Sequence, residues 1–408
     1  MTDRDILRGL AAEYAALAGD AAMAERAELY RALNRLQPIR PVVLMDELPW
    51  GEFAECDELK LVCAGEFERE CEWFFRMHLY RARHFPCDHI FGDFYPIHRR
   101  ITIGSTGMEF DEDVLPLQHT GIAAHAYHDR IPDEAAIEQL RPAEVTEDTA
   151  ENDRLRERAE ALFGDILPAR MMGLEYENYF TPWDDIARLH GVEPMLYDLI
   201  DDPDFMWKLA TKVLEVRTAM LDKLEAGNFL EPTGAYIHST AALADEVAPP
   251  EPGEPVTCRS QWGRGAAQIF VTVSPAMTEE YELPLQQAFL KRFPLTYYGC
   301  CEPLDKKMDM VRQLPNLRKI SISPWANVES AAEQIGTDYV MAAKPNPALM
   351  AMAPFDPGAV RAEIRRILAA ARKNGTPVEL TLKDVSTIRS RPEILDEWAR
   401  IAMDAVQD

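Results

Sequence analysis

No run of about 18 apolar residues occurs in this chain, and no basic stretch leading into an apolar one opens it, so neither a membrane span nor a secretory leader is expected. A cytoplasmic location is the reading that follows. Positive charge is scarce. The 43 Lys and Arg are outnumbered by 69 Asp and Glu, and a formal net charge of −26 repels phosphate backbones and leaves nucleic acid out of the expected partners. The same imbalance disfavours a polyanionic substrate unless cations are gathered locally. Nucleotide cradles are missing too: no Gly-x-Gly-x-x-Gly follows a β-like run, and no Gly-x-x-x-x-Gly-Lys-Ser/Thr occurs. Cysteine is sparse and odd in number. The seven (Cys56, Cys63, Cys71, Cys87, Cys258, Cys300, Cys301) have no regular spacing, which suits a reducing compartment better than disulfide stapling. Oxidising the adjacent pair would also close a strained ring.

What is present is a globular composition, 47% hydrophobic and 27% charged over 408 residues, enough for one large α/β domain or two ordinary ones. Residues Asp3 to Gln37 carry apolar and aromatic side chains at helical spacing (Leu7, Leu10, Tyr14, Leu17, then Ala27, Tyr30, Leu33), which predicts two helices broken near Gly19-Asp20. Pro41–Met45 then reads as a strand whose exit carries Asp46, Glu47 and Trp50. The same grammar recurs in candidate strands His89–Ile97, Ile166–Leu174, Ala235–His238, Gln268–Val273, Leu295–Tyr298, Lys319–Ser323, Tyr339–Ala342 and Val378–Leu382. Amphipathic stretches such as Asp204–Ala226, Thr278–Arg292, Val328–Gln334, Gly358–Lys373 and Pro392–Val406 lie between or after them. Strand-then-helix alternation predicts parallel βα units, and eight or nine such units in one chain of this length favour a closed (β/α)8 TIM barrel over an open doubly wound sheet. The predicted organisation is an N-terminal helical extension over residues 1–37 and a barrel over residues 38–408, with an exposed insertion at Ala248–Pro255.

Chemistry concentrates in Leu295–Pro303, an apolar run that ends in Cys300, Cys301 and Glu302. Only the end of a buried barrel strand reaches solvent, so polar groups there read as site residues. The same position makes His238 and Glu175 metal-ligand candidates beside Cys300, Cys301 and Glu302, since catalytic zinc needs three Cys, His or carboxylate ligands and an open position. Neighbouring strand side chains point oppositely, so one of the two cysteines would ligate, not both. The plainer alternatives are a small buried hydrophobe for each Cys and a hydrogen-bonded core residue for His238. Asp46 and Glu47 offer acid–base chemistry, and paired carboxylates in a water-poor cleft push one pKa upward; Asp46 could equally cap the turn that follows. Asp93 either orients a substrate or caps a helix. Lys383 and Asp384 are catalytic candidates or a mutual ion pair at the barrel mouth. Trp50, Tyr298, Lys344 and Asn346 are substrate-binding candidates, with a turn-forming role as the alternative for Asn346. His119, His125 and His128 fall in an irregular segment and read as exposed.

The order Pro41–Met45, His89-Ile-Phe-Gly-Asp93, Gly107-Met-Glu-Phe110, Gln268-Ile-Phe270 with Ser274-Pro275, Thr296-Tyr-Tyr-Gly-Cys-Cys301 and Ala343-Lys-Pro-Asn-Pro347 resembles the uroporphyrinogen decarboxylase superfamily over residues 38 to 406. The resemblance implies the barrel and brings two activities with it. The decarboxylases meet a polycarboxylate with arginines in a Met-Arg-Gln-Ala-Gly-Arg-like segment after the first strand; here Met45-Asp-Glu-Leu-Pro-Trp50 reverses the local sign, and Val271 and Thr272 lie near the place of the strand-five aspartate. The zinc- and corrinoid-dependent methyltransferases carry a His-x-Cys pair after the sixth strand and a later Cys. Tyr298 falls on that His, Cys300 on the Cys, and Asp384 stands in for the later Cys.

By this resemblance the chain is expected to be an enzyme that passes a methyl group from a small methylated substrate to a corrinoid protein or a thiol. Zinc on Cys300, completed by His238, Glu302 or Glu175, would polarise the leaving heteroatom. The rivals are a decarboxylase acting on a porphyrinogen or a smaller acid, with Arg99, Arg100 and Arg170 available to line its cavity, and a non-catalytic tetrapyrrole- or corrinoid-binding scaffold. A homodimer is compatible with the acidic barrel and its helical arm, though no apolar stripe marks a dimer face.

Overall fold

A computed structural model describes residues 2–116, 123–251 and 253–407; His119 lies outside them. Seven parallel strands make the main sheet: β1 (Val42–Met45), β2 (Tyr179–Phe180), β3 (Trp262–Gly265), β4 (Leu295–Tyr298), β5 (Leu317–Ile322), β6 (Val340–Ala343) and β7 (Val378–Leu382). Their spatial order is β1-β7-β6-β5-β4-β3-β2, and every pairing is parallel. The class is therefore α/β, as expected. The closed ring is not: among the described residues no ladder joins β1 to β2. Isolated contacts occupy that arc, among them the Asp88 N–H to the Val43 carbonyl at 2.9 Å and a single Leu174–Leu230 bridge.

Three expected strands take other forms, each for a local reason. Gly92-Asp93 interrupts His89–Ile97, and only Tyr95–His98 pairs, with Ala169–Met172 outside the main sheet. Gln268–Thr272 is a 3-10 turn because the Asp184 carboxylate accepts from both the Gln268 and Ile269 N–H groups, at 3.1 and 2.9 Å. The strand of that unit is Trp-Gly-Arg-Gly, which carries no β-branched residue. Its glycines are required by packing: a Cβ at Gly263 would stand 2.6 Å from Phe293, and one at Gly265 would stand 2.2 Å from Gln286. Finally, Tyr236–Ile237 folds back on Thr240–Ala241 as a two-residue hairpin with His238 and Ser239 at its tip.

Strand side chains alternate between the flanking helices and the sheet's concave interior. Tyr298 points to the helix Pro275–Leu290, where its hydroxyl donates to Glu282 Oε1 at 3.0 Å, so Tyr297 points inward. On the interior face Lys319 of β5 and Glu379 of β7 form an ion pair at 2.8 Å with both side chains 0% exposed. Trp262 of β3 lies against the same ammonium, 5.7 Å from ring centroid to Nζ.

The N-terminal helices Asp3–Ala18 and Ala21–Asn34 break at Gly19-Asp20 as the sequence predicts, and Asp20 caps the second through the Ala22 N–H. The second helix is no loose appendage. Leu29, Tyr30 and Leu33 pack on Val42, Leu44 and Val340, and full burial of each aliphatic side chain contributes about 1.5–3 kcal/mol. Asn34 Nδ2 also donates to the Ala241 and Leu243 carbonyls at 3.1 and 2.8 Å.

Candidate active site

A cavity of about 560 Å³ opens beside the arc between β1 and β2, lined by the end of β1, the approach to β2, the helix that carries His78 and Arg81, and the segment of residues 232–239. Asp46, Glu47, Arg81, Glu175, Tyr179 and His238 are among its lining residues. At its wall a compact polar cluster forms from four segments distant in sequence. His238 Nε2 lies 3.1 Å from Cys300 Sγ and 3.2 Å from Lys383 Nζ. The Lys383 ammonium, 2% exposed, is 3.1 Å from both Glu47 carboxylate oxygens and 3.6 Å from Asp384. Cys301 Sγ is 3.6 Å from Cys300 Sγ, both thiols being free, and 3.9 Å from Asp384 Oδ2.

The backbone is strained where it presents these groups. Glu47 (φ 48°), His238 (φ 42°), Ser239 (φ 66°) and Asp384 (φ 57°) all occupy the left-handed region, which non-glycine residues enter at a cost of about 1–2 kcal/mol each. Positive φ at both central residues is the requirement of a type I′ hairpin turn, normally met by Asn-Gly. Gly299 (φ 97°) makes the bend that brings Cys300 inward, and a Cβ there would meet Leu304 Cδ1 at 2.6 Å. The hairpin's far strand is clamped from three directions: the Ala241 N–H donates to Glu379 Oε2 at 3.0 Å, and its carbonyl accepts from Lys319 Nζ at 2.6 Å and from Asn34.

Electrostatics sort the groups into roles. Cys300 is held well below the ordinary thiol range by the Cys301 thiol hydrogen bond, against the opposing effect of burial, with further help from His238 and the Lys344 charge. Cys301 is pushed up correspondingly, so the two sulfurs share one proton and carry one negative charge. His238 falls to about 4 through burial, with Arg264 and Lys383 adding to the effect; it is neutral near pH 7, and its Nε2 either donates to the Cys300 sulfur or accepts from the Lys383 ammonium, according to the tautomer. Glu47 rises to about 7 through loss of hydration and a hydrogen bond with Asp384. A carboxylate pair with one raised pKa is thus present, but Glu47 pairs with Asp384 instead of Asp46. For Asp46, burial is outweighed by the Arg81 guanidinium at 3.3 Å, which leads the influences that hold it low.

Other expected residues stand apart from this cluster. Asp93 is exposed at the surface and does not line the cavity. Trp50 packs with Phe53, Trp73 and Tyr80 behind Arg81, whose guanidinium lies 5.4 Å from the indole centroid. Tyr298 faces a helix. Asn346 caps the turn Pro347–Ala351 through the Ala348 N–H, the turn-forming alternative. Lys344 braces the site from behind, donating to the Cys300 carbonyl at 2.9 Å. His125 and His128 sit beside Glu112 and Asp113 on an exposed hairpin. The sequence reading passed over Arg81, His89, Ser239, Tyr179 and Arg264. His89, the first residue of the expected strand His89–Ile97, lies buried and its Nε2 accepts from the Met45 N–H at 3.3 Å.

The five expected zinc ligands are not gathered into a shell. Glu302 folds back so that its Oε2 accepts the Cys300 N–H at 2.9 Å, and burial raises its carboxyl to about 7. Glu175 faces His98 at 3.7 Å. Among the described residues no three His, Cys, Asp or Glu side chains form a group able to hold a metal ion. The cation against His238 and Glu47 is the Lys383 ammonium. The residues present do not fit zinc, and no step below passes through a metal.

The arginines that would serve a polycarboxylate are committed elsewhere. Arg99 holds Glu147 at 2.7 Å and Arg170 holds Glu231 at 2.6 Å, and neither they nor Arg100 lines the cavity. No helix among the described residues is long and apolar enough to cross a membrane. No protein-family model matches this chain, and no curated protein matches it. Among solved structures the chain is similar to a methyltransferase from Methanosarcina mazei, with 12% sequence identity and a TM-score of 0.48 over 93% of this chain and 97% of that one.

Proposed function

We propose that the protein is a group-transfer enzyme in which the Cys300 thiolate takes a methyl group from a small methylated substrate held in the cavity. The observation that carries this reading is the 3.1 Å contact between His238 Nε2 and Cys300 Sγ, with Lys383 on the same imidazole and Glu47 beyond it. The sequence resemblance to the methyltransferase side of the uroporphyrinogen decarboxylase superfamily supports methyl as the group.

In this reading the thiolate attacks the methyl carbon, the carbon–heteroatom bond breaks, and its electron pair stays on the heteroatom. The Glu47 carboxyl, held near 7, supplies the proton that neutralises this leaving group. The carboxylate left behind faces Lys383 at 3.1 Å. His238 orients the thiolate while remaining neutral. The methyl group then passes from sulfur to an external acceptor, a thiol or a corrinoid carried on another protein, which restores the thiolate; Glu47 regains its proton from solvent.

The test uses iodomethane as a generic donor with peptide mass spectrometry. Cys300 is expected to be methylated ahead of the other six cysteines, more slowly in His238→Ala, and at the same rate after chelator treatment. An inert Cys300, or methylation that requires added zinc, overturns the reading.

A further inference from the structure

Cations are concentrated inside the strand mouth of a chain whose formal net charge is −26. Most have a partner: Lys319 pairs with Glu379, Lys383 with Glu47 and Arg81 with Asp46, and Lys344 donates to the Cys300 carbonyl. The exception is Arg264 of β3. It is 3% exposed, its Nε and Nη2 have no hydrogen-bond acceptor, and it makes no ion pair among the described residues. A buried guanidinium without an anion is a costly arrangement, and one that an acceptor entering the site would relieve.

Its surroundings point the same way. Tyr297, paired with Arg264 in register across β3 and β4, is fully buried, and its hydroxyl approaches Ser321 without hydrogen-bonding geometry, the Ser321 hydroxyl donating instead to the Cys300 carbonyl. The Tyr179 ring lies 4.8 Å from the Arg264 guanidinium, and Tyr179 and His238 both line the cavity. The Tyr179 and Tyr297 rings stand 5.9 and 6.4 Å from the His238 ring. Unused donors from two adjacent strands therefore lie next to the imidazole that holds the candidate nucleophile. The Nε/Nη2 edge of a guanidinium presents two parallel N–H groups that match the two oxygens of a carboxylate, and a neighbouring hydroxyl adds a third donor.

We propose that Arg264 and Tyr297 form a carboxylate-recognition subsite, so that the substrate is a small anionic molecule whose acid group docks there while its reacting end faces His238 and Cys300. The identification of the reacting end rests on the methyl-transfer reading above; the acid-binding subsite does not. A single carboxylate would answer the free charge of Arg264 without requiring the arginine-rich wall of a polycarboxylate site. The negative exterior disfavours anions in general, which leaves recognition to this local reversal of sign.

The experiment is calorimetric titration of the full chain with methoxyacetate and with its neutral counterpart methoxyacetamide. The acid is expected to bind about tenfold or more tightly than the amide, the difference expected of hydrogen bonds to a charged group. Arg264→Gln should abolish that preference and Arg264→Lys should keep part of it. The comparison of acid with amide in the wild type needs no variant, so a misfolded substitution cannot decide the outcome. Equal binding of acid and amide, as when the guanidinium is satisfied by interior water alone, overturns the proposal. Failure of Cys300 methylation with the acid preference intact overturns the methyl-transfer reading and leaves the subsite standing.

Discussion

Replacing Cys301 by alanine removes the strongest influence that keeps Cys300 ionised, the thiol donating across 3.6 Å. A hydrogen bond to a charged group contributes about 1.5–3 kcal/mol, and 1.36 kcal/mol corresponds to one pH unit, so the Cys300 titration midpoint should rise by about one to two units in Cys301→Ala. His238 and Lys344 continue to favour the thiolate, so the midpoint should remain below the ordinary thiol value of about 8.5. Ultraviolet thiolate absorbance reads the titration directly. Most other cysteines are silent: burial pushes Cys63, Cys71 and Cys258 up to about 12 and Cys87 still higher. A Cys56→Ser background removes the half-buried thiol that is left. The sign also fixes a stability trend. Where the unfolded chain binds a proton that folded Cys300 has released, the folded state gains as pH rises toward the ordinary thiol value. It loses that gain as pH falls toward the depressed one. An unshifted midpoint in Cys301→Ala, or a wild-type thiolate that appears only in the ordinary range, refutes the shared-proton pair.

Because the Glu47 carboxyl sits near 7, methylation of Cys300 by an unactivated methyl donor should decline as pH rises past that value. Glu47→Gln should flatten the profile and lower the rate at least about a hundredfold; a profile unchanged by the substitution removes Glu47 as the proton source. The fully buried Lys319–Glu379 pair makes a separate prediction. Lys319→Met should cost about 3–5 kcal/mol in denaturant unfolding by leaving a carboxylate uncompensated, and adding Glu379→Leu should recover only part of it, because the Ala241 N–H then loses its acceptor. Wild-type stability in the single variant would contradict the burial of both charges.

Legibility from the sequence followed the physical source of each signal. β4 and β7 have the expected boundaries because Leu-Thr-Tyr-Tyr and Val-Glu-Leu-Thr-Leu are rich in residues that favour a pleated surface. β3 was invisible because its glycines are dictated by Phe293 and Gln286, contacts that no local pattern records. The strand-end rule found Cys300, Lys383 and Glu47, since it depends only on where an apolar run stops. It misassigned Tyr298 because the parity of a strand, which decides between Tyr297 and Tyr298, is fixed by packing across the sheet. It also could not see that Glu302 folds back onto its own turn, or that Glu47 pairs with Asp384 from the far end of the chain. Arg264 announced nothing in sequence, because an unanswered charge is a property of its neighbours.

Ala241 is the knot that ties the site to the rest of the molecule. Its amide is held by Glu379, and its carbonyl by Lys319 and by Asn34 at the end of the second N-terminal helix. The imidazole three residues earlier therefore inherits its placement from a segment that contributes no atom to the cavity. Trimming the first 37 residues to obtain a tidier barrel would loosen the hairpin from below and let His238 drift from Cys300, so such a truncation would silence the site before it unfolded the sheet.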